Sequence, residues 1–85
     1  MNSPKQKRSL SIHAHRTSIA LEQEFWAVID RAVARDGRSL AAFITALDDK
    51  RTQSDSPHGL AAYLRLFALA FVQQSHGEYS PAGQA

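Results

Sequence analysis

The segment HRTSIAL, residues 15–21, alternates with period two: Thr17, Ile19 and Leu21 share one side, and Arg16, Ser18 and Ala20 share the other. That is the pattern of a half-buried strand. A strand constrains a small chain severely, because every backbone N–H and C=O along it needs a mate. The remainder of the chain reads as helix and offers no obvious second strand. The preceding SLSIHA also alternates, but its apolar members Leu10 and Ile12 have the opposite parity. Residues 9–21 therefore cannot form one regular strand with a single buried face, and a bend, bulge or break belongs around His13, Ala14 and His15. The simplest mate for residues 15–21 is the same strand of a second copy, paired antiparallel about a two-fold axis.

A first helix is expected from about Glu22. Glu22 and Glu24 lie in its first turn and Arg31 and Arg35 late in it, each with the sign that suits the helix dipole. Phe25, Trp26, Ile29, Ala32 and Val33 fall on one stripe, and Gly37 fits a left-handed stop. Ser39 then caps a second helix in which Leu40, Phe43, Ile44 and Leu47 recur at helical spacing among Ala41, Ala42 and Ala46. Residues 51–56 read as a polar linker. A third helix, residues 57–76, is expected to start with Ser56 as cap and Pro57 at its first position. It is apolar nearly all round: Leu60, Tyr63, Leu64, Leu66, Phe67, Leu69, Phe71 and Val72. Such a helix calls for burial on more than one side, hence a subunit interface.

The chain has 85 residues, room for one domain whose folding part is near the size at which a single core is marginal and oligomers help. There are no cysteines, which excludes disulfides and thiolate metal sites. No secretory leader is evident at the basic start, and the run at 60–72, about 20 Å long as a helix, is short for a bilayer and contains Arg65. A cytoplasmic location is expected. Net charge is only +2, but the first 21 residues carry Lys5, Lys7, Arg8 and Arg16 and no acid, whereas all eight acids follow. A basic leading segment on a near-neutral body suits an anionic partner. Residues 1–14 read as a basic arm, extended over part of its length, and residues 77–85 as a flexible tail.

In order and spacing, RTSIALE, EFWAVIDRAVARDG and RSLAAFITAL resemble the ribbon, first helix and second helix of the ribbon-helix-helix family of bacterial DNA-binding proteins, with the Gly-Arg-Ser-Leu turn the most telling part. The whole stretch is similar to a bacterial subfamily of small members with an added C-terminal helical segment. The resemblance covers roughly residues 15–50 and implies a mainly α fold: a dimer in which each subunit gives one N-terminal strand to an antiparallel two-stranded ribbon, followed by two helices and here a further apolar helix. It implies a transcriptional regulator whose ribbon enters the DNA major groove. Arg16, Ser18 and Ala20 would read bases; Ala20 can only touch a thymine methyl, so readout is weaker than with three polar residues. Ser39 and Leu40 would offer backbone N–H groups to a phosphate, with Arg38 adding charge and Lys5, Lys7 and Arg8 following the DNA backbone. Thr17, Ile19, Leu21, Trp26, Ile29, Phe43, Ile44, Leu47, Leu60, Leu64, Phe67 and Phe71 would form the dimer or oligomer interface.

Each functional role has a plainer counterpart. The Arg16 face also serves as the wet side of a surface ribbon, Ser39 as an ordinary cap, and Trp26 as core. His13 and His15, two apart, would share a strand face that a metal can use, but no nearby ligand completes a site, and neither metal nor cofactor is expected. No nucleophile elbow, phosphate-binding glycine loop or carboxylate pair points to an enzyme. The expected partners are double-stranded DNA and a second copy of the chain, with no membrane or small-molecule substrate. The alternative function is an oligomerising interaction module in which the apolar third helix is the point and specific DNA binding is weak or absent.

Overall fold

The phase change at Ala14 is a hairpin. The computed structural model of the chain describes residues 4–79, with side chains through residue 74. Strand β1 spans Lys5–Ile12 and strand β2 spans His15–Glu22. They pair antiparallel in one register, from Lys5 opposite Glu22 to Ile12 opposite His15. The connecting residues, His13 and Ala14, both have positive φ, 53° and 65°. That is the handedness a two-residue turn needs to match the twist of the strands it joins. Two alternating segments of opposite parity, two residues apart, bring their apolar sides onto one face. Leu10 and Ile12 of β1 thus stand beside Thr17, Ile19 and Leu21 of β2.

This corrects the expectation of a single strand that finds its mate only in a twin. The mate is β1, the stretch read from sequence as an arm. The sequence lacks the Asn-Gly or Asp-Gly that usually marks such a turn. His13 and Ala14 adopt left-handed backbone without a glycine, so the turn is written in the phase rather than in the turn residues.

Helix α1 follows directly as Gln23–Asp36 and ends where Gly37, at φ 87°, donates its N–H to Val33 O at 2.9 Å. Helix α2, Leu40–Gln53, opens on Ser39, whose Oγ accepts the Ala42 N–H at 3.1 Å. It runs three residues into the segment expected to be a linker. Asp55, at φ 55°, breaks the chain direction, and the Ser56 Oγ accepts the His58 N–H at 3.2 Å in a local turn. Arg51 also donates to His58 O at 3.2 Å. These contacts hold residues 56–58 in a bend, so helix α3 begins at Leu60 rather than at Pro57 and continues to Tyr79. The tail expected over residues 77–85 therefore overlaps α3 at its start, and from residue 80 it lies outside the described residues.

The inner face of the hairpin packs on the helices. Ile12, Ile19, Leu21, Trp26, Ile29, Ala32, Phe43, Ile44, Leu47, Leu64 and Ala68 are buried together in one core. Phe43 and Phe67 meet edge to face at 5.5 Å between ring centres, and Phe67 stacks on Phe71 at 6.0 Å. Of the residues expected at a subunit interface, Leu21, Ile29, Ile44 and Leu64 are completely enclosed within the chain. Thr17, Leu60, Phe67 and Phe71 are half-buried. One side of α3 escapes this, leaving Leu66, Leu69 and Val72 at 47%, 51% and 38% exposure. Among the described residues no helix is long and apolar enough to cross a membrane.

Candidate nucleic-acid interface

A two-stranded ribbon has two faces, and the register assigns each side chain to one of them. With the apolar side turned to the helices, the opposite side carries Lys5, Lys7, Ser9 and Ser11 from β1 and Arg16, Ser18 and Ala20 from β2. Register puts Lys7 across from Ala20, Ser9 across from Ser18, and Ser11 across from Arg16. The Ser9 and Ser18 hydroxyls meet at 3.2 Å, which confirms that they share a face. All of these except half-buried Ala20 are exposed. The face holds cations and hydroxyls and no carboxylate until Glu22 at its far end. Glu22 accepts two hydrogen bonds from Arg65, at 2.9 and 3.3 Å, which hold its carboxyl below the usual glutamate range.

The expected base-reading residues, Arg16, Ser18 and Ala20, therefore stand together on the ribbon's outer face. Of the residues expected on DNA phosphates, Lys5 and Lys7 also stand on that face, on a strand rather than an arm. Arg8 does not. Its parity turns it inward, where the guanidinium lies 4.4 Å over the Trp26 ring and donates to both Asp30 carboxylate oxygens at 2.8 and 3.0 Å. The Asp30 hydrogen bonds outweigh the partial burial and raise the Arg8 pKa. Trp26 Nε1–H donates to Gln6 O at 2.7 Å, so β1 is fastened to α1 at two adjacent points. Held in this way, Arg8 ties β1 to α1.

At the start of α2, Arg38 donates to Asp36 through Nε at 2.7 Å and through Nη2 at 3.2 Å. The same contacts hold the Asp36 carboxyl below its ordinary range, the Arg38 hydrogen bond being the main cause. Ser39 spends its hydroxyl on the cap, leaving the Ser39 and Leu40 N–H groups at the helix opening. This opening lies at the other end of α2 from the hairpin turn. His13 Nε2 sits 3.4 Å from Asp48 and 3.1 Å from Asp49, about 14 Å along the helix from Ser39.

His13 is a turn residue and β2 begins at His15, so the two do not share a strand face as expected. Sequence reasoning missed Ser9 and Ser11 as members of the outer face. The signal was available: two period-two segments out of phase across a two-residue gap. Asp48, nine-tenths buried, was also missed; it accepts from Arg51 Nη2 at 2.8 Å and Nε at 3.0 Å, which offsets the cost of enclosing its charge.

A basic, hydroxyl-bearing ribbon laid over a helix, a tight Gly-Arg-Ser turn and a second helix defines a class of small ribbon-bearing folds. The chain belongs to the ribbon-helix-helix domain family, whose profile matches residues 5–72. That span begins at β1, ahead of the segment in which the resemblance was first legible. It is also similar to the solved structure of an uncharacterized protein from Bordetella pertussis Tohama I. The identity is 30% and the TM-score 0.73, over 95% of this chain and 66% of the other, so the chain spans just under two thirds of that protein's length. No curated protein matches it.

Proposed function

We infer that the protein is a DNA-binding transcriptional regulator that presents the outer face of its ribbon to the major groove of duplex DNA, working as a homodimer or a dimer-based oligomer. One observation carries this reading: the exposed ribbon face is built from Lys, Arg and Ser with the nearest carboxylate already engaged by Arg65. The major groove admits a two-stranded ribbon, and its base edges offer acceptors that suit this set. Arg16 is the one exposed guanidinium on the face and can take guanine through two parallel hydrogen bonds. Ser18 donates or accepts, and Ala20 touches a thymine methyl. The Ser39 and Leu40 N–H groups, with Arg38, fix position on a phosphate without reading sequence. The test is retention of duplex DNA at low salt, by fluorescence anisotropy on fragments of the source genome. Binding that weakens steeply with salt and is lost or relaxed in Arg16→Ala supports the reading, and failure to retain any duplex at low salt overturns it.

A second reading rests on a different observation, the exposed Leu66, Leu69 and Val72 of α3. Under it the protein is an oligomerising module and the ribbon is only scaffold. Leu69→Asp then lowers the mass seen by light scattering; an unchanged mass removes this reading.

A further inference from the structure

The notch between the end of α2 and the start of α3 holds a cavity of about 320 Å³, lined by Leu47, Lys50, His58, Tyr63, Leu66 and Phe67. The lining is mostly apolar, and its polar members come from three places: Lys50 from the last turn of α2, His58 from the bend, and Tyr63 from α3. Helical spacing within one element does not reveal such a site. We propose that this cavity binds a small aromatic carboxylate, with the ring on Leu47, Leu66 and Phe67 and the carboxylate at Lys50 and His58. The proposal is independent of what the ribbon meets.

Charge points to an anion. No carboxylate lines the cavity. The acids beside Lys50 in sequence face elsewhere: Asp48 accepts from Arg51, and Asp48 and Asp49 stand 3.4 and 3.1 Å from His13 in the hairpin turn. Among the described residues, the Lys50 ammonium, the His58 imidazole and the Tyr63 hydroxyl have no hydrogen-bonding or ion-pair partner. The fold thus leaves donors uncommitted beside an apolar wall. One lysine and one imidazole suit a single negative charge, whereas a phosphate dianion would meet one fixed cation and an apolar floor. One histidine without a carboxylate is no ligand set for a metal, and no group of three residues able to hold one occurs among the described residues.

Size and rigidity agree with this. A dry cavity of about 150 Å³ holds benzene, so this one has room for a ring system with a carboxylate arm. Leu47 is buried in the core, and Phe67 is fixed edge to face on Phe43 at 5.5 Å. His58 is held through its backbone: its O accepts from Arg51 Nη1 at 3.2 Å, and its N–H donates to Ser56 Oγ at 3.2 Å. A wall already in place spares a ligand the cost of ordering it. The rings of His58, Tyr63 and Phe67 favour an aromatic body, which adds ring contacts to the apolar area it buries. A second copy is the competing occupant. The exposed side of its α3, Leu66, Leu69 and Val72, carries no acid and would cover Lys50 without a counter-charge.

The experiment uses the full-length protein with naphthoate as probe, naphthamide as its neutral counterpart and inorganic phosphate as an anion without a ring. Amide NMR spectra follow the titrations and locate the site. Naphthoate should shift the amides of residues 47–50, 58 and 63–67 and saturate; naphthamide should bind about ten-fold more weakly, and phosphate should leave these amides in place. Lys50→Met should weaken naphthoate about ten-fold and leave naphthamide unchanged. Arg31→Met, the same loss of charge on α1, should match wild type. Leu66→Glu, which sets a carboxylate in the wall, should abolish naphthoate binding. All three side chains are exposed, so the variants should fold, and thermal melting checks this. If naphthoate shifts no amide of the lining up to its solubility limit, or if Lys50→Met and Arg31→Met weaken it alike, the proposal falls. Equal binding of naphthamide and naphthoate overturns the choice of a carboxylate. If wild type is dimeric by light scattering and only a dissociated Leu69→Asp variant admits naphthoate, the cavity belongs to a second copy and the proposal is likewise overturned.

Discussion

Ala14→Gly should stabilise the protein, and the sign of the change separates two architectures. Ala14 sits at φ 65° in the turn between β1 and β2. A left-handed backbone costs an L-residue with a Cβ about 1–2 kcal/mol. Glycine removes that cost but loses more freedom on folding, by about 0.4–1 kcal/mol. The difference favours the variant by about 0.5–1 kcal/mol, which for a chain of this size is a rise in melting midpoint of roughly 2–8 °C. Trp26 is the single tryptophan and hydrogen-bonds to Gln6 O on β1, so its fluorescence reports detachment of the hairpin directly. Had residues 9–21 formed one bent strand in a shared ribbon, with ordinary φ at Ala14, glycine would cost about 0.5–1 kcal/mol instead. A lowered midpoint for Ala14→Gly in urea or heat would therefore refute the intrachain hairpin. Ala14→Val makes the companion measurement: a β-branched side chain is poorly tolerated at positive φ, and the midpoint should fall.

The hairpin can also be read chemically: Ser9→Cys/Ser18→Cys replaces hydroxyls that meet at 3.2 Å, within reach of a disulfide, and mild oxidation should give a crosslink within one chain, whereas a band of twice the mass on a non-reducing gel contradicts the pairing. Trp26→Ala empties a fully enclosed site and should cost about 3–5 kcal/mol, enough to leave the chain largely unfolded in equilibrium denaturation. Arg65 holds the Glu22 carboxyl below its ordinary range, so this contact stabilises the fold at neutral pH and is lost as pH falls through the depressed value; Glu22→Gln should flatten the acid limb of stability against pH, and an unchanged limb counts against the ion pair. Leu64→Asp should unfold the monomer rather than only dissociate an assembly, because Leu64 is fully enclosed in its own chain; a folded variant by circular dichroism would be inconsistent with that packing.

Much of the fold was legible because local rules and packing agree. The Gly37 stop, the Ser39 cap and the stripe through Trp26 and Ile29 each follow from one or two residues, and the structure places them where those residues require. The start of α3 was misplaced because Ser56 and Pro57 satisfy a local rule that Arg51, in the last turn of α2, and Asp55, in the bend after it, override. The partner of β2 was missed for a related reason. Turn chemistry at His13 and Ala14 is weak, so only the parity on either side records the hairpin, and parity says that the face changes without saying how. The outer face of β2 was legible from alternation alone, whereas that of β1 required the register. Arg8 shows the limit of charge counting, since a basic residue among basic residues turned inward to stack on a ring.

The clasp between β1 and α1 changes what the N-terminus is. Gln6 and Arg8 reach Trp26 and Asp30 from a position that a cloning design would treat as dispensable. Trimming the first dozen residues does not shorten a loose appendage; it strips one of the two strands from the sheet and takes Ile12 out of the core. The shortened chain gains an unpaired, greasy edge, a recognised route to self-association. An oligomer measured on such a fragment would include association through that bared edge.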